Sequence, residues 1–119
     1  MAFHNEFGKW GEEVATSYLR DKGYVILERD WHSGHRDIDI IALDGDEVVF
    51  VEVKTRSKNY LLSPVSAIDY KKVRNLKLAA NHYIKYKYLD NDYRFDIVSI
   101  VGNMGDLDVE IDHIEGAFR

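Results

Sequence analysis

This chain predicts an α/β domain, a mixed sheet with helices against it in the order α-β-β-β-α-β-β. Three observations carry that reading. Apolar residues recur at helical spacing over residues 3–22 and again after Asp69, residues 24–56 alternate with the period of strands, and the alternation returns after residue 93. With 119 residues, 45% of them hydrophobic, there is chain for one domain, residues 1–119, and for a single two-layer core. The absence of cysteine excludes disulfides, thiolate chemistry and Cys-based zinc sites, and fits a reducing cytoplasm. The N-terminus MAFHNEFGKW has no basic segment followed by an apolar run, and no apolar stretch approaches spanning length. A soluble cytoplasmic protein with no membrane partner is expected.

The first helix is marked by Phe3, Phe7, Trp10, Val14 and Tyr18 on one stripe, with Gly23 as its stop. At 100° per residue Glu12 falls at the edge of that stripe beside Leu19, while Glu13 lies with Lys9 and Arg20 on the wet side. Glu12 can lean over the sheet, or bond to Arg29 or Arg36 as a boundary residue. Tyr24 to Trp31 is rich in strand formers and follows Gly23 directly. His32, Ser33, Gly34 and His35 connect it to the next strand as a polar turn; His35, close to Asp37, is a candidate phosphate contact.

The stretch from Arg36 to Arg56 concentrates the chemistry. It reads as two strands joined at Asp44-Gly45-Asp46. Alternation puts Asp37, Asp39 and Ile41 on one face and Ile38, Ile40 and Ala42 on the other; Val48, Phe50, Glu52 and Lys54 oppose Val49, Val51 and Val53 in the same way. Matching the apolar faces brings Asp39 opposite or diagonal to Glu52. Buried carboxylates need a partner or water. A magnesium ion would satisfy them, with Asp39 and Glu52 as hard oxygen ligands, the Val53 carbonyl as another, and water completing the octahedron. Lys54, about 6.6 Å along the strand from Glu52 at the usual rise, can reach a bound water or a phosphate. A solvated hairpin end with an acid–lysine cross-strand pair fits the same spacing.

Beyond this hairpin, Arg56 to Leu62 is a polar loop containing Asn59 and Tyr60, and Ser63-Pro64 suits the start of a short helical turn. Asp69 reads as the N-cap of a helix from Tyr70 to about Tyr88, with Val73, Leu76, Ala80 and Tyr83 or Ile84 facing the core. Lys72 lies in its first turn, where free N–H groups already favour anions. Tyr83, Tyr86, Tyr88 and Tyr93 are expected to pack behind the sheet rather than to stack on bases. Tyr93 to Val101 is a strand with Phe95, Ile97 and Ser99 alternating against Asp96, Val98 and Ile100. Asp108 to Ile114 is an edge strand with Val109, Ile111 and His113 inward.

Net charge is −5, which argues against a binder that works by charge alone. Its distribution is uneven. Nine Lys or Arg lie between Lys54 and Lys87 against one acid, Asp69, so this block carries +8 and the remainder −13. A basic block that begins at the candidate site is suited to guiding phosphates, with Arg56 and Lys58 nearest the site in sequence.

Asp39 followed by Glu52-Val53-Lys54 in an apolar strand resembles the PD-(D/E)XK signature of restriction-endonuclease-like proteins, although no proline precedes the aspartate. More narrowly, the chain is similar to the YraN-type family of predicted bacterial endonucleases, itself distantly similar to archaeal Holliday-junction resolvases. The likeness runs through Gly8-Lys9-Trp10-Gly11-Glu12, Ile38-Asp39-Ile40-Ile41-Ala42, Phe50-Val51-Glu52-Val53-Lys54-Thr55-Arg56, Pro64, Lys72, Arg94-Phe95-Asp96 and Ala117-Phe118. It implies a restriction-endonuclease-like α-β-β-β-α-β core, a mixed sheet flanked by helices, and a Mg2+- or Mn2+-dependent endonuclease acting on DNA. Branched DNA and a homodimer follow from the likeness to resolvases. Asp39, Glu52 and Lys54 are then catalytic; Asp39, Glu52 and the Val53 carbonyl hold the metal, with Glu12 and Asp37 as further candidates. Arg56, Lys58, Lys72 and His35 are candidate nucleic-acid contacts. The family usually has Gly-Glu where this chain has Arg36-Asp37, which shortens the reach of that acid. Two non-catalytic alternatives stand beside this: a binding module, since α-β-β-β-α is also the order of double-stranded RNA-binding domains, and a degenerate nuclease fold kept as a partner-binding subunit.

Overall fold

The computed structural model describes residues 2–58 and 69–118, with side chains from Asn5 onward. The loop around Asn59 and Tyr60 and the turn expected at Ser63-Pro64 lie outside the described residues. The elements are α1 (Ala2–Asp21), β1 (Val25–Ser33), β2 (Arg36–Asp44), β3 (Glu47–Arg56), α2 (Tyr70–Tyr86), β4 (Tyr93–Val101) and β5 (Glu110–Phe118). One five-stranded sheet holds the strands in sequence order. Consecutive pairs are antiparallel except β3 and β4, which run parallel because α2 carries the chain back between them.

The helices cover opposite faces, so three layers replace the two expected. Ala15 and Leu19 of α1 pack on Ile40, Ala42, Val49, Val51, Val98 and Ile100. Leu76, Ala79, Ala80 and Tyr83 of α2 pack on Ile38, Ile41, Val48, Phe50 and Phe95. The central strands are apolar on both faces, and only a helix on each side removes both from water. Asp69 caps α2 as expected, its Oδ1 accepting from the Lys71 N–H at 2.9 Å. Among the described residues no helix is long and apolar enough to cross a membrane.

One face assignment fails. Ile38 lies with Ile41 under α2, not with Ile40 and Ala42 under α1. Across the ladder Arg29 partners Ile40 and pairs with Glu13 of α1, whereas Trp31, partner of Ile38, packs on the α2 side. Between them Asp30 has φ 51°, a left-handed conformation at the point where the alternation of faces breaks. Tyr83 enters the core, but Tyr86 and Tyr88 are exposed, because α2 stops at Tyr86 and Tyr88 turns the chain at φ 54°. The last strand continues past Ile114 to Phe118, which stacks on Phe95 at 5.3 Å; an irregular register and Gly116 at φ 58° hide this in the alternation.

Close approach of α1 to the sheet depends on Gly11. A Cβ there would lie 1.9 Å from Thr55 Oγ1, so only hydrogen lets α1 sit against the end of β3. The next residue, Glu12, lies close enough to Asp39 to influence its charge.

Candidate functional site

The site forms where the β2–β3 ladder ends. Ile40 pairs with Val51, but the next position, which would set Asp39 against Glu52, is not paired. Instead the Val53 N–H donates to Asp39 Oδ2 at 2.8 Å, so a carboxylate takes the place of the missing backbone acceptor. The strands part at the two acids singled out by spacing. Glu52 and Lys54, two residues apart, both face α2 and are only 7% and 8% exposed. From the first turn of α2, Lys72 Nζ reaches Glu52 Oε1 at 2.6 Å. Glu52, Lys54 and Lys72 line a cleft whose apolar wall is Val73, Leu76, Ile97 and Phe118.

The charges at this spot are poorly shielded from one another. Burial and then the neighbouring Glu52 charge push the Asp39 carboxyl up to about 8, against the lowering effect of the Val53 N–H. Glu12 adds to the rise, which places its carboxylate within range of Asp39. Glu12 itself is raised by burial, then by Asp30, with Asp37 contributing, and Arg29 opposes the rise. Lys54 is pulled below its ordinary value by burial and then by Lys72. Burial also pulls on Lys72, but the charge and hydrogen bond of Glu52, with Asp39 behind, leave it raised.

The remaining predicted residues fall in three places. Asp37 and His35 stand exposed on the rim, lining a second cleft with Arg36, Glu52, Lys71 and Lys72. The ligand atoms of Asp37 also lie within 4.8 Å of those of Asp30 and His32. Arg56 ends β3 and donates to the Thr55 carbonyl at 3.0 Å. Lys58 points elsewhere, paired at 3.1 Å with Asp106 in the turn before β5. Arg29 bonds to Glu13 rather than to Glu12, at 2.9 Å, and Glu12 stands among Asp30, Arg29 and Asp37.

Sequence reasoning assigned no role to a second polar centre. Asp96, fully buried in β4, accepts from Arg94 Nε at 3.0 Å and the Gly116 N–H at 3.0 Å, and lies 2.7 Å from His113 Nε2. Burial raises the Asp96 pKa, but His113 and Arg94 outweigh it and hold the carboxyl below its ordinary value. Arg94 also bonds to Asp44, Glu47 and the Tyr24 hydroxyl, tying the far end of the sheet together. The signal was an aspartate in the middle of an apolar strand, two residues from an arginine on the same face.

Fold and site together describe a mixed α/β protein whose core is compatible with that of α-β-β-β-α-β nucleases, with acids and lysines gathered where two central strands part. The chain belongs to the uncharacterised protein family UPF0102, the YraN-type family, which it matches over residues 11–100. It is 46% identical over 118 residues to a UPF0102 protein of Parabacteroides distasonis, covering 99% of this chain and 96% of that one. Over the same span it is 44% identical to a UPF0102 protein of Bacteroides thetaiotaomicron, again covering 99% and 96%. It is 42% identical to one of Porphyromonas gingivalis, covering 99% of this chain and 87% of the relative.

Proposed function

We propose that the protein is a Mg2+- or Mn2+-dependent endonuclease that hydrolyses phosphodiester bonds in branched or structured DNA. The observation that supports this most directly is the gathering of Asp39, Glu52 and Lys54 at the parting of β2 and β3, with Glu52 and Lys54 buried and Asp39 half-buried. The residues fit a hard divalent cation: the donors are carboxylate oxygens, and burial, then the neighbouring Glu52 charge, raise the Asp39 pKa, so a cation there would relieve both. Asp39 and Glu52 would hold the ion, with the Val53 carbonyl and Glu12 as further donors and Asp37 on the rim. Bound there, the ion would supply an activated water and neutralise charge on the phosphate. Lys54 would hold the scissile phosphate or the attacking water from the apolar side of the cleft. His35, Arg56 and Lys72 would fix the flanking phosphates. Two copies related by a two-fold axis would present paired sites to two strands of a junction.

The test is single-turnover cleavage of labelled duplex, flap, fork and four-way-junction DNA with Mg2+ or Mn2+. Asp39→Asn and Glu52→Gln should abolish cutting while DNA binding persists or tightens, because repulsion of phosphate falls. Lys54→Ala should lose cutting yet keep metal binding. Wild type that binds these substrates and cuts none under either metal overturns the nuclease reading in favour of a binding module.

A further inference from the structure

Lys72 touches Glu52 more closely than any other ion pair of the described residues, at 2.6 Å. Its side chain is 56% exposed while that of Glu52 is 9% exposed, so an ammonium on a solvent-exposed stem covers a nearly buried carboxylate. Asp39 contributes to the same hold on the lysine. The ammonium thus satisfies the acid that a divalent cation would otherwise bind. We infer that Lys72 is a placeholder for the metal: it neutralises Glu52 in the metal-free protein, is displaced when the cation binds, and then meets the incoming phosphate. This rests on the metal-dependent reading above.

The exchange follows from charge and reach. A divalent ion shared by Asp39 and Glu52 repels an ammonium at Oε1, and both compete for the same lone pairs. Lys72 has four carbons of stem and stands in the first turn of α2, so it can swing without moving backbone. The adjoining cleft sets Arg36, Lys71 and Lys72 against Asp37, Glu52 and Asp69, which also caps α2; once a cation occupies Glu52, the balance of charge there turns positive and suits a phosphate. In that position the freed ammonium gains a phosphate only after the metal has arrived. Metal and DNA binding are then coupled through one side chain, and the coupling is reciprocal.

Mn2+ binding is measured by calorimetry without DNA in wild type, Lys72→Ala, Lys72→Gln, Lys71→Ala and Glu52→Gln. Loss of the competitor should tighten Mn2+ about five-fold or more in both Lys72 variants, the lower end of ordinary coupling, while Lys71→Ala stays close to wild type. Four-way-junction affinity, measured with non-cleaving Ca2+ against chelator, should rise more in wild type than in Lys72→Ala. Equal tightening in Lys71→Ala would mean a general field effect, and unchanged or weaker Mn2+ binding in both Lys72 variants would mean a lysine that only supports Glu52. Either result overturns the exchange but leaves the metal site standing, provided Glu52→Gln has lost the binding heat. Absence of Mn2+ binding in wild type and both Lys72 variants overturns the metal-dependent reading and the exchange with it.

Discussion

Gly11→Ala sets two known effects against each other at one position. Gly11 is inside α1, where alanine is favoured over glycine by about 1 kcal/mol from backbone entropy. The new methyl would, however, lie 1.9 Å from Thr55 Oγ1, 2.7 Å from Cγ2 and 2.9 Å from Cβ. Rotating the threonine moves the first two atoms but not the third, so α1 must shift off β3. Overpacking of this kind costs about 1–3 kcal/mol, so the balance falls on destabilisation, by up to about 2 kcal/mol. Urea unfolding followed by circular dichroism should show the midpoint lowered by up to about 1 M, at about 2 kcal/mol per M. Thr55→Ala should recover part of the loss in the double mutant, with a coupling of at least about 0.5 kcal/mol. A midpoint that rises, or two changes that simply add, would refute the seating of α1 against Thr55.

Other predictions address charge. The Asp39 pKa is raised on folding, so its contribution is full below the ordinary value of 3.8 and is lost as pH climbs through about 8; metal-free wild type should lose melting temperature across that window, and Asp39→Asn should flatten the loss. Parallel profiles in the two proteins would count against an Asp39 held among other acids. Adding Mn2+ should stabilise wild type with the logarithm of concentration, by about 2.7 kcal/mol at one hundred times the dissociation constant, and a thermal-shift titration should find no such rise in Glu52→Gln. Arg74 and Lys77 line the outer side of α2 with Tyr70 and Leu78, and neither is in an ion pair with a described residue. Arg74→Ala and Lys77→Ala should each flatten the salt dependence of DNA binding by roughly one log-log unit per lost phosphate contact, whereas Lys9→Ala should not; equal effects at all three would deny α2 a special role. Asp96→Ala should cost about 3–5 kcal/mol in chemical unfolding, because Arg94 and His113 lose a fully buried partner; a loss below about 1 kcal/mol would mean water replaces it.

Period and punctuation in the sequence were enough to locate both helices and all five strands, because apolar spacing and residues such as Gly23, Gly45 and Asp69 act within a few neighbours. Parity within one strand was also enough to put Glu52 and Lys54 on the same face, whereas the ladder ends at Ile40 and Val51 and Asp39 is held near Glu52 by the Val53 N–H rather than by strand pairing. What needed the tertiary structure was anything set by contact between distant segments. Ile38 lies on the opposite face from Ile40 where the neighbouring strand carries Asp30 in a left-handed conformation, which alternation cannot show. The three-layer arrangement appears only when each helix chooses a face of a sheet that is apolar on both. Lys72 is close to Glu52 because the α2 crossover brings its first turn to the parting of β2 and β3, twenty positions along the chain. Lys58 is taken up by Asp106, and His113 by Asp96, through strand pairings made late in the chain. The sequence by itself determined which local elements form and which acids and lysines they present; the packing of those elements decided which charges meet, because charge interactions depend on distance in space and periodicity reports only position along a strand or helix.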